Sequence, residues 1–262
     1  MVFNLIDKKI RRAFSNAAVQ YDVLSGLHKE IGRELVKKIE GRTQAHYILD
    51  IGMGTGWLTN RIKYHFPESV VVGMDFALGM IDVAKKNSEG TRLIAADALD
   101  LPFRNESFDV IVSNLVYQWV DDLPKGFEFC HQTLKKDGCL ALTMFGFKTL
   151  EELFTSLEMS SEKESNEPRS FPRLPSHEDI KTALQNSGFK NIATDYEHIK
   201  VHFPDMMSLL NWIKGIGANA LKRDFFIGKE QLQRAEAYYS KHFRDPLGVR
   251  ATFEVIWVQA EK

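Results

Sequence analysis

The 262 residues carry 34 Lys and Arg side chains against 35 Asp and Glu, so the formal net charge at pH 7 is only −1. A balance this close to neutral argues against a nucleic-acid or anionic-membrane partner, because both are bound through basic surfaces. The two cysteines, Cys130 and Cys139, lack metal-binding spacing and favour a reduced, cytoplasmic setting, and no apolar run is long enough to cross a bilayer.

The first 40 residues predict two helices. Residues 4–18 form the first, and the second carries apolar residues at four-residue steps, namely Leu27, Ile31, Leu35 and Ile39. Four basic side chains between residues 8 and 12 suit either an amphipathic first helix or an organellar presequence, and the apolar block of a secretory signal is missing.

Five short apolar runs follow, and they alternate with helical segments. The runs are residues 46–52, 69–75, 91–97, 108–114 and 138–145, and the helical segments are 55–65, 77–87 and 122–135. The third connection carries Pro102 and polar residues, so we expect it to be irregular. Strands alternating with helices predict an α/β fold, with a parallel sheet covered by helices on both faces.

After residue 146 the alternation ends. We expect a helix over 149–159, a polar link over 160–175, and a helix that starts at a Ser176–Asp179 capping box and ends at Gly188. The remaining predicted elements are a strand at 191–203, helices at 205–215 and 228–243, and a last strand at 250–261. The sheet would then have seven mostly parallel strands, with one antiparallel strand in the final pair. We expect residues 1–40, 149–175 and 205–245 to form a helical lid over a cofactor-binding core at 45–146.

The stretch "LDIGMGTGW", residues 49–57, runs from a strand through three alternating glycines into a helix. A dinucleotide site would need a further glycine where Trp57 stands. Asp50 would also repel a pyrophosphate, whereas a carboxylate attracts the ammonium and sulfonium of S-adenosylmethionine. The loop therefore predicts an S-adenosylmethionine site, in which Gly52, Gly54 and Gly56 let the ligand approach the backbone.

Polar residues at the ends of the next three strands support this prediction. Asp75 is placed to accept from the ribose hydroxyls, Asp97 to accept from the adenine amine, and Asn114 to line the methionine half. Four further residues complete the predicted cofactor set: Phe76, Met80, Ala98 and Leu115. A single Asp at a strand end is usually a turn or a helix cap, but four such residues on consecutive strands favour a ligand site. Residues 45–145 resemble the class I S-adenosylmethionine-dependent methyltransferases, which implies a Rossmann-like fold.

The segment "NLVYQW", residues 114–119, bears on the methyl acceptor. It lacks the prolines of enzymes that methylate adenine in nucleic acid, and the sequence offers no carboxylate cluster for the metal of a catechol enzyme. "SNLVYQWVDD" (113–122) resembles the malonyl-acyl-carrier-protein O-methyltransferases of biotin synthesis. Three more stretches share that resemblance: residues 10–22, residues 209–221 with Lys-Gly-Ile-Gly-Ala, and residues 253–262.

This resemblance implies methylation of the free carboxylate of a malonyl thioester, carried by acyl-carrier protein through phosphopantetheine or by CoA. The methyl ester removes the negative charge of the carboxylate, so that fatty-acid synthesis can elongate the acyl chain. Two alternatives stay open: a methyltransferase of another small acid or quinone precursor, and a cofactor-binding scaffold without catalysis.

A carboxylate acceptor needs no general base, because its ordinary pKa of about 4 leaves it ionised at neutral pH. It needs donors that hold and aim its oxygens. We expect these donors from Tyr21, Gln118, Trp119 and an arginine, Arg173, with Arg169 as a weaker choice. Basic residues near the Lys-Gly-Ile-Gly-Ala stretch would suit an acidic carrier protein, and they are Lys214, Lys222 and Arg223.

Overall fold

A computed structural model describes residues 5–88, 90–161, 174–219 and 227–262. The elements in chain order are α1 (Leu5–Leu24), α2 (Gly26–Ile39), β1 (Tyr47–Ile51), α3 (Trp57–His65), β2 (Val70–Asp75), α4 (Leu78–Asn87), β3 (Arg92–Ala95), β4 (Phe108–Asn114), α5 (Leu123–Thr133), β5 (Leu134–Phe145), α6 (Glu151–Met159), α7 (His177–Asn186), β6 (Lys190–Phe203), α8 (Met206–Gly215), α9 (Lys229–His242), β7 (Arg244–Asp245) and β8 (Gly248–Glu261). A 3₁₀ turn at Tyr117–Trp119 follows β4. Within these residues, no helix combines the length and apolar character needed to cross a membrane.

The described strands form one sheet in the order β3-β2-β1-β4-β5-β8-β6, with β7 paired to β8. β1 to β5 are parallel, and β8 runs antiparallel to both β5 and β6. The expected α/β fold with one antiparallel strand in the final pair is confirmed. All seven predicted strands are present, and a two-residue strand that was not predicted, β7, forms a hairpin with the start of β8 and makes the sheet eight-stranded.

Alternating side chains on the strands build a core on each face of the sheet. Ile48 and Val110 pack with α2 and α3 on one face, whereas Leu49 and Ile111 pack with α5 and α7 on the other. Burying one such side chain contributes about 2 kcal/mol. The strands β2 and β3 lie on one side of β1, and β4 lies on the other side. The strand order therefore reverses between β1 and β4. Ligands of open α/β sheets bind at such a switch point, beyond the carboxyl ends of the strands.

Helix α1 continues to Leu24, six residues beyond its predicted end at residue 18. Its last turns pack on the end of α8, where the Gln20 side chain donates to the Gly215 carbonyl at 3.2 Å and Trp212 Nε1 donates to the Leu24 carbonyl at 2.9 Å. A Cβ at Gly215 would lie 2.5 Å from Leu24 Cδ1, so a larger residue there would displace the Leu24 side chain. The Lys-Gly-Ile-Gly-Ala stretch thus packs against the N-terminal helix.

The capping box at the start of α7 is confirmed. The Asp179 backbone N–H donates to the Ser176 hydroxyl at 3.2 Å, and the Ser176 N–H donates to the Asp179 carboxylate at 2.9 Å. The helix ends at Asn186, two residues before the predicted Gly188. Most of the polar link predicted at 160–175 lies outside the described residues.

Candidate active site

The glycine loop lies at the carboxyl end of β1 and leads into α3. Gly52, Gly54 and Gly56 have φ values of 73°, 56° and 85°, in the left-handed region that glycine adopts without strain. At Gly52 the space is also restricted, because a Cβ there would lie 2.2 Å from Val116 Cγ2. The loop therefore needs glycine both for its backbone conformation and for its approach to the segment after β4.

Asp50, inside β1, is fully buried. One carboxylate oxygen, Oδ2, accepts from the Thr59 hydroxyl at 2.7 Å, whereas Oδ1 is buried with no hydrogen-bond partner among the described residues. Burial, and less strongly the Asp75 charge, raises the pKa of Asp50 to about 7. A buried carboxylate oxygen without a donor suits a cationic ligand, since a positive charge would favour its ionised form.

Asp75 ends β2, as predicted, and joins that strand to the glycine loop. Its Oδ2 accepts from the Gly54 N–H at 2.9 Å and its Oδ1 from the Ala77 N–H at 2.8 Å. Burial raises its pKa to about 6 in spite of these two bonds. Each oxygen keeps a second lone pair, so the predicted ribose contact is compatible with these bonds.

Of the residues predicted for the adenine end, Phe76 and Met80 lie close to α1, whereas Asp97 and Ala98 follow β3. Asp97 lies two residues past β3 rather than at its end, and its carboxylate caps a turn by accepting from the Leu99 N–H at 2.9 Å. The next residue, Ala98, is 9% exposed. Met80 and Phe76 belong to an apolar cluster with Ala18 of α1. The N-terminal helix therefore covers the side chains that the sequence assigns to the cofactor ring.

Asn114 ends β4 and connects three elements. Its amide nitrogen donates to the His28 carbonyl on α2 at 3.0 Å, and its amide oxygen accepts from the Thr143 hydroxyl on β5 at 2.8 Å. Leu115 follows with a φ of 58°, which is strained for a non-glycine residue. Its N–H donates to the Thr143 carbonyl at 3.0 Å, and its side chain lines a cavity.

This cavity, of about 880 Å³, lies between the strand ends and the helices α1, α2, α6, α7 and α8. Aromatic and aliphatic side chains form much of its wall: Phe14, Tyr21, Leu115, Trp119, Phe145, Phe154, Trp212, Ile216 and Phe253. Its volume is in the range of small-molecule sites. Ile216 brings the Lys-Gly-Ile-Gly-Ala stretch into the same wall.

Three of the four residues predicted for the acceptor, Tyr21, Gln118 and Trp119, line this cavity. The Phe145 N–H donates to Gln118 Oε1 at 3.4 Å, which leaves the amide nitrogen as a donor. Trp119 contacts Phe14 edge-on, with ring centroids 5.3 Å apart. Arg173, the fourth, lies outside the described residues, and so do Arg169, Lys222 and Arg223.

Burial, followed by the nearby carboxylates of Asp75 and Asp22, raises the pKa of Tyr21 well above its ordinary value. Tyr21 is therefore protonated at neutral pH and can donate a hydrogen bond. Its Cε1 atom would lie 3.9 Å from a Cβ built at Gly54, so the ring that lines the cavity also faces the glycine loop.

His28 also lines the cavity, and the sequence analysis missed it. Its ring centroid lies 5.9 Å from those of Tyr21 and Phe145 and 6.1 Å from that of Trp212. Burial lowers its pKa to about 4, so the ring is neutral. The signal for it was helical spacing, since His28 lies three and seven residues before the buried Ile31 and Leu35 and shares their side of α2.

The described ionisable side chains around the cavity are mostly acidic. Asp121, Glu151, Glu158 and Asp179 contribute to the lining, and Lys148 is the lysine among them. Among the described residues, no group of three or more His, Cys, Asp or Glu side chains could hold a metal ion.

Helix α1 is bonded to the glycine loop by a side-chain contact. The Thr55 hydroxyl donates to Asp22 Oδ1 at 2.9 Å, and the Lys29 ammonium lies 3.1 Å from the same oxygen. The N-terminal helices therefore cover both the loop and one side of the cavity.

Comparison with known proteins agrees with this geometry. The family described as "Methyltransferase domain" matches residues 49–142, from within β1 into β5. The malonyl-[acyl-carrier protein] O-methyltransferase of Gallionella capsiferriformans is 32% identical over 98% of this chain and 92% of its own length. A Mus musculus protein named arginine-hydroxylase NDUFAF5, mitochondrial, is 30% identical over 96% of this chain and 76% of its own length.

Among solved structures, the chain is similar to phosphoethanolamine N-methyltransferase 2 of Haemonchus contortus in complex with S-adenosyl-L-methionine. The TM-score is 0.60 at 21% identity, over 95% of this chain and 57% of that one. At this identity the likeness concerns the fold.

Proposed function

Because this chain belongs to the family of the malonyl-[acyl-carrier protein] O-methyltransferases, within the class I S-adenosylmethionine-dependent methyltransferases, we propose that it converts the free carboxylate of a malonyl thioester to a methyl ester. The thioester is carried by acyl-carrier protein or by CoA. Esterification removes a negative charge, as the biotin-synthesis role of this family requires.

The observation that carries this proposal is the position of Tyr21. Its ring lines the cavity and faces the glycine loop, where its Cε1 atom would lie 3.9 Å from a Cβ built at Gly54. A methyl donor held by the loop and a carboxylate held in the cavity would therefore come into contact next to this side chain. Holding two reactants in contact, away from water, supplies most of the rate gain in such a displacement.

The acceptor's chemistry explains which protein groups are needed. A malonyl carboxylate, with an ordinary pKa of about 4, is ionised at neutral pH and can attack without losing a proton. The raised pKa of Tyr21 keeps its hydroxyl as a donor, and Gln118 offers its amide nitrogen because its oxygen already accepts from Phe145. These donors aim the carboxylate, and no proton moves in the transfer step.

S-adenosylmethionine, when bound, supplies a methyl group on a positively charged sulfur. The acceptor oxygen forms the new bond to the methyl carbon, and the electron pair of the broken carbon–sulfur bond stays on sulfur. Asp50, with its unpartnered Oδ1, and the buried Asp75 suit such a cation. We assign the cofactor role to Asp50, Gly52, Gly54, Gly56, Asp75, Phe76, Met80, Asp97, Ala98, Asn114 and Leu115.

A carrier protein would dock outside the cavity, with only its malonyl-phosphopantetheine arm inside. The exposed Lys214, at the end of α8, supports an acidic partner near the Lys-Gly-Ile-Gly-Ala stretch.

We also infer a cytoplasmic location, because Cys130 and Cys139 are buried free thiols. Cell fractionation tests this location, and enrichment in an oxidising compartment would contradict it.

A methyl-transfer assay with malonyl-carrier protein, malonyl-CoA and free malonate side by side tests the function. We expect turnover of at least one thioester and little of free malonate, because the apolar wall suits the arm. If neither thioester yields a methyl ester while another small acid does, the proposed substrate is wrong. Cofactor binding without a methylated product from any acceptor would favour the non-catalytic scaffold.

A second candidate is hydroxylation of an arginine side chain, favoured by the 30% identity with the mouse relative. Mass spectrometry distinguishes the two reactions, because methylation adds a methylene unit to the acceptor, whereas hydroxylation, with dioxygen and a two-electron reductant supplied in the assay, adds one oxygen atom to arginine and reduces the other to water. An oxidised arginine in a peptide incubated with the enzyme would favour this candidate.

We further propose that α1, α2 and residues 205–245, with the segment 149–175, act as a lid. Support comes from the Thr55–Asp22 bond and from the packing of α1 on Gly215. Hydrogen exchange with and without S-adenosylhomocysteine tests this proposal. We expect slower exchange in these segments with the ligand, and equal exchange in both conditions would contradict a lid.

A further inference from the structure

His28 is a polar side chain on an otherwise apolar part of the cavity wall. It lies near the start of α2, and its ring is enclosed by those of Tyr21, Phe145 and Trp212. The Asn114 amide holds its backbone carbonyl at 3.0 Å, which fixes this turn of the helix against β4. The position of the ring is therefore set by packing.

The ring has hydrogen-bonding capacity that the described residues leave unused. Nδ1 is buried without a partner, and Nε2 is the nitrogen that can face a molecule in the cavity. Burial lowers the pKa of His28 to about 4, so the ring carries one proton. Placing that proton on Nε2 turns the ring into a neutral donor toward the cavity.

A carboxylate in this cavity needs donors without strong positive charge. A full salt bridge would hold the anion but would also lower its nucleophilicity, whereas neutral donors orient it at less cost. Tyr21 and Gln118 offer two such donors. His28, whose ring centroid is 5.9 Å from that of Tyr21, lies beside this tyrosine and offers a third donor to the same cavity.

We propose that His28 binds the acceptor carboxylate by donating a hydrogen bond from Nε2, and so selects an anionic acceptor over its uncharged ester. This inference rests on the proposed function. It adds a residue to the acceptor site and gives a reason for product release, because the methyl ester formed is a weaker acceptor than the carboxylate.

The test compares three variants with malonyl-pantetheine as substrate. His28→Phe keeps an aromatic ring and removes the donor, His28→Gln keeps a neutral donor, and His46→Phe makes the same change at an exposed position at the start of β1. We expect His28→Phe to raise KM for malonyl-pantetheine at least about tenfold, the effect of one hydrogen bond to a charged group. We expect His28→Gln to recover most of this loss and His46→Phe to match the wild type.

Two readouts separate binding from a structural role. The Kd for S-adenosylhomocysteine and the Ki of the methyl ester product should change less than about twofold in His28→Phe, since neither depends on a bond to the carboxylate. An unchanged KM in His28→Phe overturns the inference and leaves the proposed function intact. A rise in the cofactor Kd as large as the rise in KM, together with a lower melting temperature, also overturns it, because these changes indicate a packing role. A wild-type enzyme that turns over no malonyl thioester overturns both proposals.

Discussion

Replacing Asp50 with asparagine is expected to remove most of the pH dependence of cofactor binding. Burial raises the pKa of Asp50 to about 7, so this carboxyl is half protonated near neutrality when no cation is bound. A bound ammonium or sulfonium favours the ionised carboxylate and returns the pKa toward its ordinary value of roughly 4. The protonation of Asp50 alone should then lower the affinity about 30-fold, or about 2 kcal/mol, between roughly pH 8 and roughly pH 5.5, because one proton must leave this carboxyl on binding.

Isothermal titration calorimetry of S-adenosylhomocysteine, which keeps the ammonium group, measures this dependence. Asp50→Asn should bind more weakly at high pH and retain only the roughly fourfold pH effect expected of Asp75, whose pKa is about 6. Asp82→Asn, an exposed substitution on α4, is the matched control and should keep the wild-type profile. A wild-type affinity that is flat over this pH range would refute the contact between Asp50 and the cationic end of the cofactor.

The same raised pKa has an opposite effect on the stability of the ligand-free protein. A carboxyl whose folded-state pKa lies above its unfolded value contributes full stability below the unfolded pKa and loses it as pH rises through the folded pKa. For Asp50 this window runs from roughly pH 4 to about 7. Above it, Asp50→Asn should therefore melt at or above the wild-type temperature while binding the cofactor less tightly.

Three further predictions concern the loop, the acceptor cavity and the core. Tyr21→Phe should lower turnover at least about tenfold and leave the Kd for S-adenosylhomocysteine unchanged, by radiolabel assay and calorimetry; a loss of cofactor affinity alone would place Tyr21 in the cofactor site. Gly52→Ala should destabilise the fold by about 1–3 kcal/mol in urea unfolding, because its Cβ would overlap Val116, and adding Val116→Ala should restore part of this loss. The buried Glu152 accepts from Arg250 and from the Thr252 backbone and hydroxyl, so Glu152→Ala should cost about 3–5 kcal/mol, and a loss under about 1 kcal/mol would contradict a structural role for this network.

The parallel core of the fold was predictable because short apolar runs alternate with helical segments, and because acidic residues lie within or at the end of two of these runs, in β1 and β2. Asp50 and Asp75 stand out in the sequence for that reason. The hairpin strand β7 was missed because two residues carry no periodicity, and its pairing with Gly248 and Val249 determines its structure. The end of α1 was misplaced for a related reason, since Val19 and Val23 are 89% and 85% exposed and break the apolar pattern that marks a helix.

The residues of the candidate site were predictable where they lie near the ends of the strands. They were less predictable where several helices together form the wall of the cavity. Tyr21, Gln118 and Trp119 were named through a family resemblance, and they line one cavity. His28 was overlooked because a single polar residue beside an apolar stripe is ordinary in a sequence. Only the packing of α2 against Tyr21, Phe145 and Trp212 identifies it as part of the cavity wall.

The bond between Thr55 and Asp22 has a consequence for the proposed lid. A lid that includes α1 would have to break this bond each time S-adenosylhomocysteine leaves and re-form it after fresh S-adenosylmethionine enters. Under that proposal, the rate at which this single hydrogen bond breaks would contribute to the rate of cofactor exchange.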